Sequence, residues 1–415
     1  MFIFKYSQLR LFISYTFLTL SLIYSLTITK EYKALAYTII GVSFCSVFFF
    51  LLLELLYKSR QGNQYYVSLN LKILWSFYFV GMFLVQVTLY PNKYLLEIFL
   101  YLFFSFYIIF SLAPLFFNEE KFNELVKFLI LMGTVLVFFQ LLGFFTEDIF
   151  GIKLYRKDNN ANFSGFAAHS GIYEHPNHLS IFLVVSILCA VWYVKKHNSN
   201  LYLIPLAILF LGLFITQSRT GILCLASVVI LNIPKFFFKR AGTVLLSLVI
   251  FSILILLFSL NIEYFERYLR LSTSSAGRLG AWAFALENME GFWLYGHGSN
   301  SPKEFTTGNE HILRQHYNSK ISGAGFHNSY LNILFQYGIF PFISLILIII
   351  TALRNSFRSR IRNKQLIFDL LIVMFVGSFL TDMSIGGLRL HTTLLALIIG
   401  MSHLKLKGTN NHNSI

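Results

Sequence analysis

Long apolar runs separated by short polar gaps dominate the chain. A helix rises about 1.5 Å per residue, so about 20 apolar residues cross a hydrocarbon layer about 30 Å thick. Twelve runs approach or exceed that length: 11–28, 35–57, 70–90, 95–117, 125–146, 178–194, 201–216, 220–234, 243–261, 328–352, 365–383 and 389–404. The pattern predicts an all-α, polytopic membrane protein with about twelve transmembrane helices.

Composition supports this class. Of the 415 residues, 56% are hydrophobic and only 12% are charged, which is far from the balance of a soluble domain. The predicted organisation is helices one to nine in 1–261, an external loop at 262–326, helices ten to twelve in 327–404, and a tail at 405–415.

The positive charges predict the orientation, because Lys and Arg accumulate in cytoplasmic loops. With the N-terminus inside, 19 of the 33 Lys and Arg residues fall in cytoplasmic gaps. Nine of the other 14 lie in two long gaps, 147–177 and 262–326, where the rule has least force. Both termini are therefore predicted to be cytoplasmic. The net charge of +15 follows from this bias, so it does not indicate nucleic-acid binding.

The external loop contains one predicted helix, in "STSSAGRLGAWAFALENMEG". Ser274 or Ser275 is a suitable cap and Gly291 a suitable stop. Apolar residues recur at helical spacing, so we expect this helix to lie on the membrane or on the outer mouth of the bundle. The recurring residues are Leu279, Trp282, Ala283, Leu286 and Met289. Arg278 falls in the first turn, where the helix dipole favours an anion nearby.

Arg219 lies in "TQSRTG", a turn of a few residues between two apolar runs on the external side. An arginine at such a boundary marks function or pairing, or is simply a side chain that reaches out to water. Arginine binds phosphate well because its planar fork donates two hydrogen bonds and keeps its charge.

His327 and Asn328 open the tenth apolar run, directly after the external loop. The imidazole has a reference pKa near 6.5 and suits general-base chemistry. Asn328 is a candidate to orient a sugar hydroxyl, although the His-Asn-Ser sequence also suits an ordinary helix cap. Two arginines and one base on the same side of a membrane are the groups needed to displace a lipid diphosphate from a sugar.

Three stretches resemble the motifs of the bacterial O-antigen ligase and O-antigen polymerase superfamily. They are "SRTG" at 218–221, "GRLGAW" at 277–282 with "LYGHGSN" at 294–300, and "HNSYLNILFQYG" at 327–338. The resemblance implies a twelve-helix glycosyltransferase of the bacterial inner membrane with its active site on the periplasmic face. It implies His327 as the base and Arg219 and Arg278 as ligands of the diphosphate. Asp382 is similar in place to an acidic residue of some members.

The same resemblance implies the partners. The donor would be an oligosaccharide linked to undecaprenyl diphosphate, and the acceptor a second lipid-linked repeat or lipid A core. A chain-length regulator is a further candidate partner, and no metal or other cofactor is expected. The polymerase is favoured over the ligase because "HNSYLNILFQYGIF" is more similar to polymerases.

Two alternatives remain open. The cluster His169, Glu174, His175 and His178 is a candidate for zinc, but its spacing is not that of a helical ligand pair. The other interpretation is that this stretch lines the entrance for the lipid or the acceptor. A transporter or lipid-linked-sugar flippase would also be polytopic and basic. The centres of most apolar runs carry no charge, which favours an enzyme at the membrane surface.

Overall fold

The structure, a computed structural model, describes residues 6–26, 32–58, 65–90, 94–143, 145–146, 148–149, 152–153, 155–157, 168–237, 274–317, 319, 325–358, 363–381 and 388–406. Its helices are α1 (Tyr6–Tyr24), α2 (Lys33–Lys58), α3 (Leu69–Leu89), α4 (Leu95–Tyr107), α5 (Ala113–Leu115), α6 (Glu119–Leu142), α7 (Pro176–His197), α8 (Leu203–Ile215), α9 (Arg219–Phe237), α10 (Ser274–Glu287), α11 (Ser301–Gly308), α12 (Glu310–His316), α13 (Ser329–Tyr337), α14 (Ile339–Arg358), α15 (Lys364–Leu380) and α16 (Leu390–Ser402). A π-turn at Ile108–Leu112 joins α4 to α5, and a 3₁₀ turn at Asn200–Tyr202 precedes α8.

The chain is predominantly helical, as predicted. Its strands form three two-stranded antiparallel ribbons within the described residues. The strands are β1 (Tyr65–Val67), β2 (Asp148–Ile149), β3 (Ile152–Lys153), β4 (Tyr155–Lys157), β5 (Ala168–Gly171) and β6 (Leu404–Leu406). β1 pairs with β6 and so joins the entry to α3 to the exit from α16.

Six helices in the described part of the chain are long and apolar enough to cross a membrane: Lys33–Leu51, Leu69–Leu89, Leu95–Leu115, Glu119–Leu142, Pro176–His197 and Ile339–Phe357. Shorter apolar helices lie at Asn200–Ile215, Arg219–Asn232 and Leu390–Ser402. The predicted ninth span, 243–261, lies outside the described residues. The count of twelve and the placement of the external loop therefore stay predictions.

Several helix ends lie together at one end of the bundle, where Ser329, two residues after His327, also contacts the carboxyl end of α15. The start of α7 meets the start of α9 where Ser218 donates to Asn177. The start of α16 meets the end of α1, since the Leu390 N–H donates to the Ser25 hydroxyl. We call this the His327 end. All 13 residues of α16 are buried, which explains why this helix has no charged residue.

The single helix predicted at 328–352 is wrong, because α13 and α14 are separate helices that meet at Gly338. This residue has φ 75°, a left-handed conformation that favours glycine. A Cβ there would lie 2.3 Å from the Leu294 carbonyl oxygen. The break lets residues 293–298 approach the backbone, and the Ile339 N–H donates to the Trp293 carbonyl at 2.8 Å.

The helix predicted around Arg278 is present as α10, but the predicted apolar stripe is only partly correct. Met289 is fully buried and Trp282 partly buried, whereas Leu279 and Leu286 are 60% and 46% exposed. The buried face is formed instead by Ala281, Phe284 and Ala285. Both faces are apolar, so helical spacing could not tell which one packs on α13.

Candidate functional site

The backbone of His327 is held in an unusual conformation by its two neighbours. Phe326 is fully buried; its N–H donates to Asn332 Oδ1 at 3.0 Å and its carbonyl accepts from Trp282 Nε1 at 2.8 Å. His327 has φ 52°, a left-handed conformation that costs a non-glycine residue energy and persists only when the surroundings fix it. Its side chain is half-buried.

Asn328 is the N-cap of α13. Its Oδ1 accepts hydrogen bonds from the N–H groups of Tyr330 at 3.1 Å and Leu331 at 3.2 Å. These are two of the donors that a helix start leaves without a partner. Together with the bonds of Phe326, this cap fixes the segment on both sides of His327. The capping role that the sequence allowed for Asn328 is therefore present, and contact with a sugar stays a prediction.

Arg278 and the His327 segment meet at the carboxyl end of α15. Arg278 Nη1 donates to the Leu380 carbonyl at 3.3 Å, and Ser329 Oγ donates to the next carbonyl, that of Thr381, at 2.7 Å. Carbonyl groups at a helix end lack partners within the helix and carry partial negative charge, so a cation and a hydroxyl suit them. The two predicted site residues are thus connected through one helix end.

Arg219 is the first residue of α9, which packs antiparallel on α15. Asn232 Nδ2 donates to Asp369 Oδ1 at 3.0 Å, and Cys224 Sγ approaches the Val373 carbonyl at 3.5 Å. Arg219 lies 13 residues before Asn232, and Thr381 lies 12 residues after Asp369. At about 1.5 Å per residue, both lie about 18–20 Å from that contact in the same direction. Arg219 is therefore level with the helix end that holds Arg278 and Ser329.

Asp382, the weakest of the predicted site residues, follows Thr381 directly but lies outside the described residues. The metal alternative also depends partly on such residues, because the side chain of His169 is not described. Elsewhere in the described part of the chain, no group of three or more His, Cys, Asp or Glu residues is placed to hold a metal ion.

The segment that leads into α7 contains an ion pair that the sequence analysis missed. Glu174 is only 3% exposed; its Oε1 contacts Arg389 Nη1 at 3.0 Å and His178 Nδ1 at 3.2 Å. Burial alone would raise the pKa of Glu174, but the hydrogen bond from His178 and the charge of Arg389 outweigh it and lower the pKa to about 2. Glu174 is therefore ionised and paired at neutral pH.

The same segment holds the start of α9. Ser218, next to Arg219, donates to Asn177 Oδ1 at 2.9 Å and accepts from Ser180 Oγ at 2.8 Å. His175 caps α7, with its Nδ1 accepting from the Asn177 N–H at 3.1 Å. The one sequence signal for this network was the run of polar residues before α7. Its partners on α9 and at the start of α16 are distant in sequence.

The histidine of "LYGHGSN", His297, is held by ring stacking and hydrogen bonds. His297 stacks between the rings of Phe292 and Phe335, with centroids 4.1 and 4.4 Å away, and its Nε2 lies 2.8 Å from the Asn288 carbonyl. Burial lowers the pKa of His297, while the Asn288 carbonyl opposes this shift. The backbone N–H of His297 donates to the Phe335 carbonyl. This motif therefore fastens residues 293–298 to α13.

The site combines a half-buried imidazole with two guanidinium groups at one end of a helical bundle. Such a set can bind an oxyanion and accept a proton from a nearby hydroxyl. A family model described as "O-Antigen ligase" matches residues 204–346, which include Arg219, Arg278, His327 and Asn328. No curated protein matches the chain. The match confirms the resemblance to the O-antigen ligase and polymerase superfamily over this segment, and it gives no support to a flippase.

Proposed function

We propose that this chain, whose residues 204–346 match the O-antigen ligase family, extends a surface polysaccharide. It would transfer a glycan from undecaprenyl diphosphate to a hydroxyl of a second lipid-linked repeat. The observation that carries the proposal is the meeting of Arg278 and the His327 segment on consecutive carbonyls of α15, with Arg219 at the same level. The superfamily implies lipid-linked glycans as substrates, and the site has groups suited to a diphosphate and an alcohol.

In the proposed step, the acceptor oxygen attacks the anomeric carbon while an imidazole nitrogen of His327 takes its proton. The bond from that carbon to the phosphate oxygen breaks, and the bonding electrons leave with the diphosphate. Attack from the opposite face inverts the configuration. Arg219 and Arg278 would stabilise the negative charge of the leaving diphosphate, which is greatest late in the reaction.

The bundle's charges support placing the His327 end on the periplasmic side. The opposite end carries the positive side chains of described helix ends: Lys121, Lys127, Lys195, Lys196, Arg354 and Lys364. Positive residues near helix ends favour the cytoplasm. Donors activated by diphosphate need no nucleotide, so they suit the other face of the inner membrane.

The test is His327→Gln in purified protein supplied with lipid-linked repeats. Gln keeps size and hydrogen bonding but takes up no proton at neutral pH, so we expect the rate to fall by roughly 10²–10⁴. Donor binding should survive because both arginines remain. His311→Gln is the matched control, since His311 is exposed on α12 in the same external segment. Normal polymer from the His327→Gln protein would refute the base assignment.

Ligation to lipid A core is the second candidate, because the matched family is described as an O-antigen ligase. The two reactions share a donor and differ only in the acceptor. Wild-type protein given the lipid-linked repeat alone should produce a ladder of longer chains if it is a polymerase. Product that forms only after lipid A core is added would assign the protein as a ligase.

A further inference from the structure

The segment from Tyr173 to His178 has no role in the reaction described above, yet it contacts three helix ends at the His327 end. We infer that Asn177 is a positioning residue for Arg219: it acts through Ser218 to fix the start of α9, and Glu174 and Arg389 hold the segment in place. The inference rests on the proposed role of Arg219 in binding diphosphate.

The first step is the attachment of Ser218. Its side chain is 3% exposed, and its hydroxyl is held by Asn177 from one side and Ser180 from the other. Ser218 also caps α9, because its Oγ accepts from the Gly221 backbone nitrogen at 3.5 Å. The preceding residue, Gln217, has φ 48°, so the chain turns sharply just before the helix. The direction in which α9 starts is thus set by α7.

The second step is the close contact between α7 and α9. A Cβ on Gly221 would lie 2.7 Å from Ser180 Cβ, so the two helices touch one turn into α9. Arg219 lies between this contact and the bonded Ser218. Its backbone therefore has little freedom, and in our proposal this fixes the point from which its guanidinium extends. A planar fork needs such orientation to donate two bonds to one phosphate.

The third step is the anchor of the segment itself. The Glu174 N–H donates to the Ser25 carbonyl at 3.1 Å, and the Leu390 N–H donates to the Ser25 hydroxyl at 2.9 Å. The buried Glu174 carboxylate pairs with Arg389, which directly precedes α16. The segment is thus joined to α1 and α16, both outside the matched region. Asn177 consequently holds Ser218 from a fixed position.

The experiment measures the affinity of undecaprenyl diphosphate, without a glycan, for purified full-length protein in detergent. Ser218→Ala and Asn177→Leu each remove the shared hydrogen bond, and each should weaken binding roughly 5-fold, which is the effect of one hydrogen bond. The effects of the two changes should be less than additive in the double variant, because both remove the same bond between Ser218 and Asn177. Ser218→Thr keeps the hydroxyl and should restore affinity to within about 2-fold of wild type.

The matched control is Ser186→Ala on the same helix. Ser186 is buried and its hydroxyl bonds the Leu129 and Phe182 carbonyls, so its loss affects packing at a distance from the site. We expect its affinity for the lipid diphosphate to be unchanged. In turnover assays, Ser218→Ala should raise the donor KM and leave the acceptor KM unchanged. General destabilisation of the protein would not change the donor KM alone.

Arg219→Lys distinguishes failure of the proposed role of Arg219 from failure of the inference about Asn177. If it leaves diphosphate affinity unchanged, the proposed role of Arg219 is wrong. If it weakens binding while Ser218→Ala and Asn177→Leu have no effect or are additive, the positioning inference is wrong. If Asn177→Leu does not fold, the comparison of Ser218→Ala with Ser218→Thr decides the matter.

Discussion

Asn328→Asp separates the observed role of Asn328 as a helix cap from its proposed role beside the substrate. The asparagine side chain is 5% exposed, and its Oδ1 accepts from two N–H groups of α13. Aspartate keeps that oxygen in place and adds a negative charge at a helix start, which favours the fold by about 0.3–1 kcal/mol. As a cap alone, the variant should be at least as stable and as active as wild type.

A role beside the diphosphate predicts a different result. Two unit charges about 6 Å apart repel by roughly 3 kcal/mol at an effective dielectric constant of about 20. A shift of that size weakens binding by about 100-fold. We therefore expect Asn328→Asp to raise the donor KM about 100-fold while its thermal midpoint is unchanged or higher.

The assay follows donor KM and thermal midpoint for Asn328→Asp, Asn328→Ala and wild type in the same detergent. Alanine removes the cap and should cost about 1 kcal/mol of stability, but it adds no charge, so its donor KM should change little. An aspartate variant with a wild-type donor KM would show that Asn328 is a cap with no diphosphate near it.

Three further predictions concern charge. Arg278→Lys keeps the charge but loses the fork, so donor affinity should fall well below wild type in a binding assay; unchanged affinity would exclude bidentate binding there. Folding lowers the pKa of Glu174 from about 4.5 to about 2, so its stabilisation is complete above pH 4.5 and is lost as pH falls towards 2. Thermal midpoints from pH 3 to 7 should decline accordingly, and Glu174→Gln should flatten this decline; a parallel decline would contradict it. In a cysteine-free background, an impermeant thiol reagent added to intact cells should label Lys303→Cys and not Lys195→Cys, and the reverse pattern would invert the orientation.

Much of the fold was predictable because a membrane span requires a long apolar helix. The predicted runs at 70–90 and 178–194 correspond to α3 and α7 within a few residues. Hydropathy did not reveal the break at Gly338, because both sides of it are apolar. The break depends on the close approach of residues 293–298, and that contact is not local in sequence.

The sequence suggested residue types for a candidate site, but it did not reveal the contacts that hold those residues in place. Arg219, Arg278 and His327 were singled out because a guanidinium binds phosphate and an imidazole accepts a proton, and because all three were predicted to lie on one side of the membrane. The pair of Glu174 with Arg389 was not, since each residue alone resembles an ordinary charge at a helix start. Pairing across more than 200 positions requires the fold, and neither helical spacing nor composition carries that information.

Helix capping explains why apolar helices of this chain begin at polar pairs such as Ser218-Arg219 and His327-Asn328. A helix start leaves several N–H groups without partners, and within an apolar bundle they must be satisfied. In each pair one residue caps the helix and the other is a candidate for the chemistry. The carboxyl end of a helix likewise leaves carbonyl groups without partners, and Arg278 donates to one of them at the end of α15. A side chain next to a helix cap, such as that of Arg219 or His327, extends from backbone that the cap holds in place. It also lies at an end of the bundle, where a polar lipid head group can reach it. A substrate with a membrane-bound chain and a diphosphate head fits that placement better than one that must cross the apolar centre.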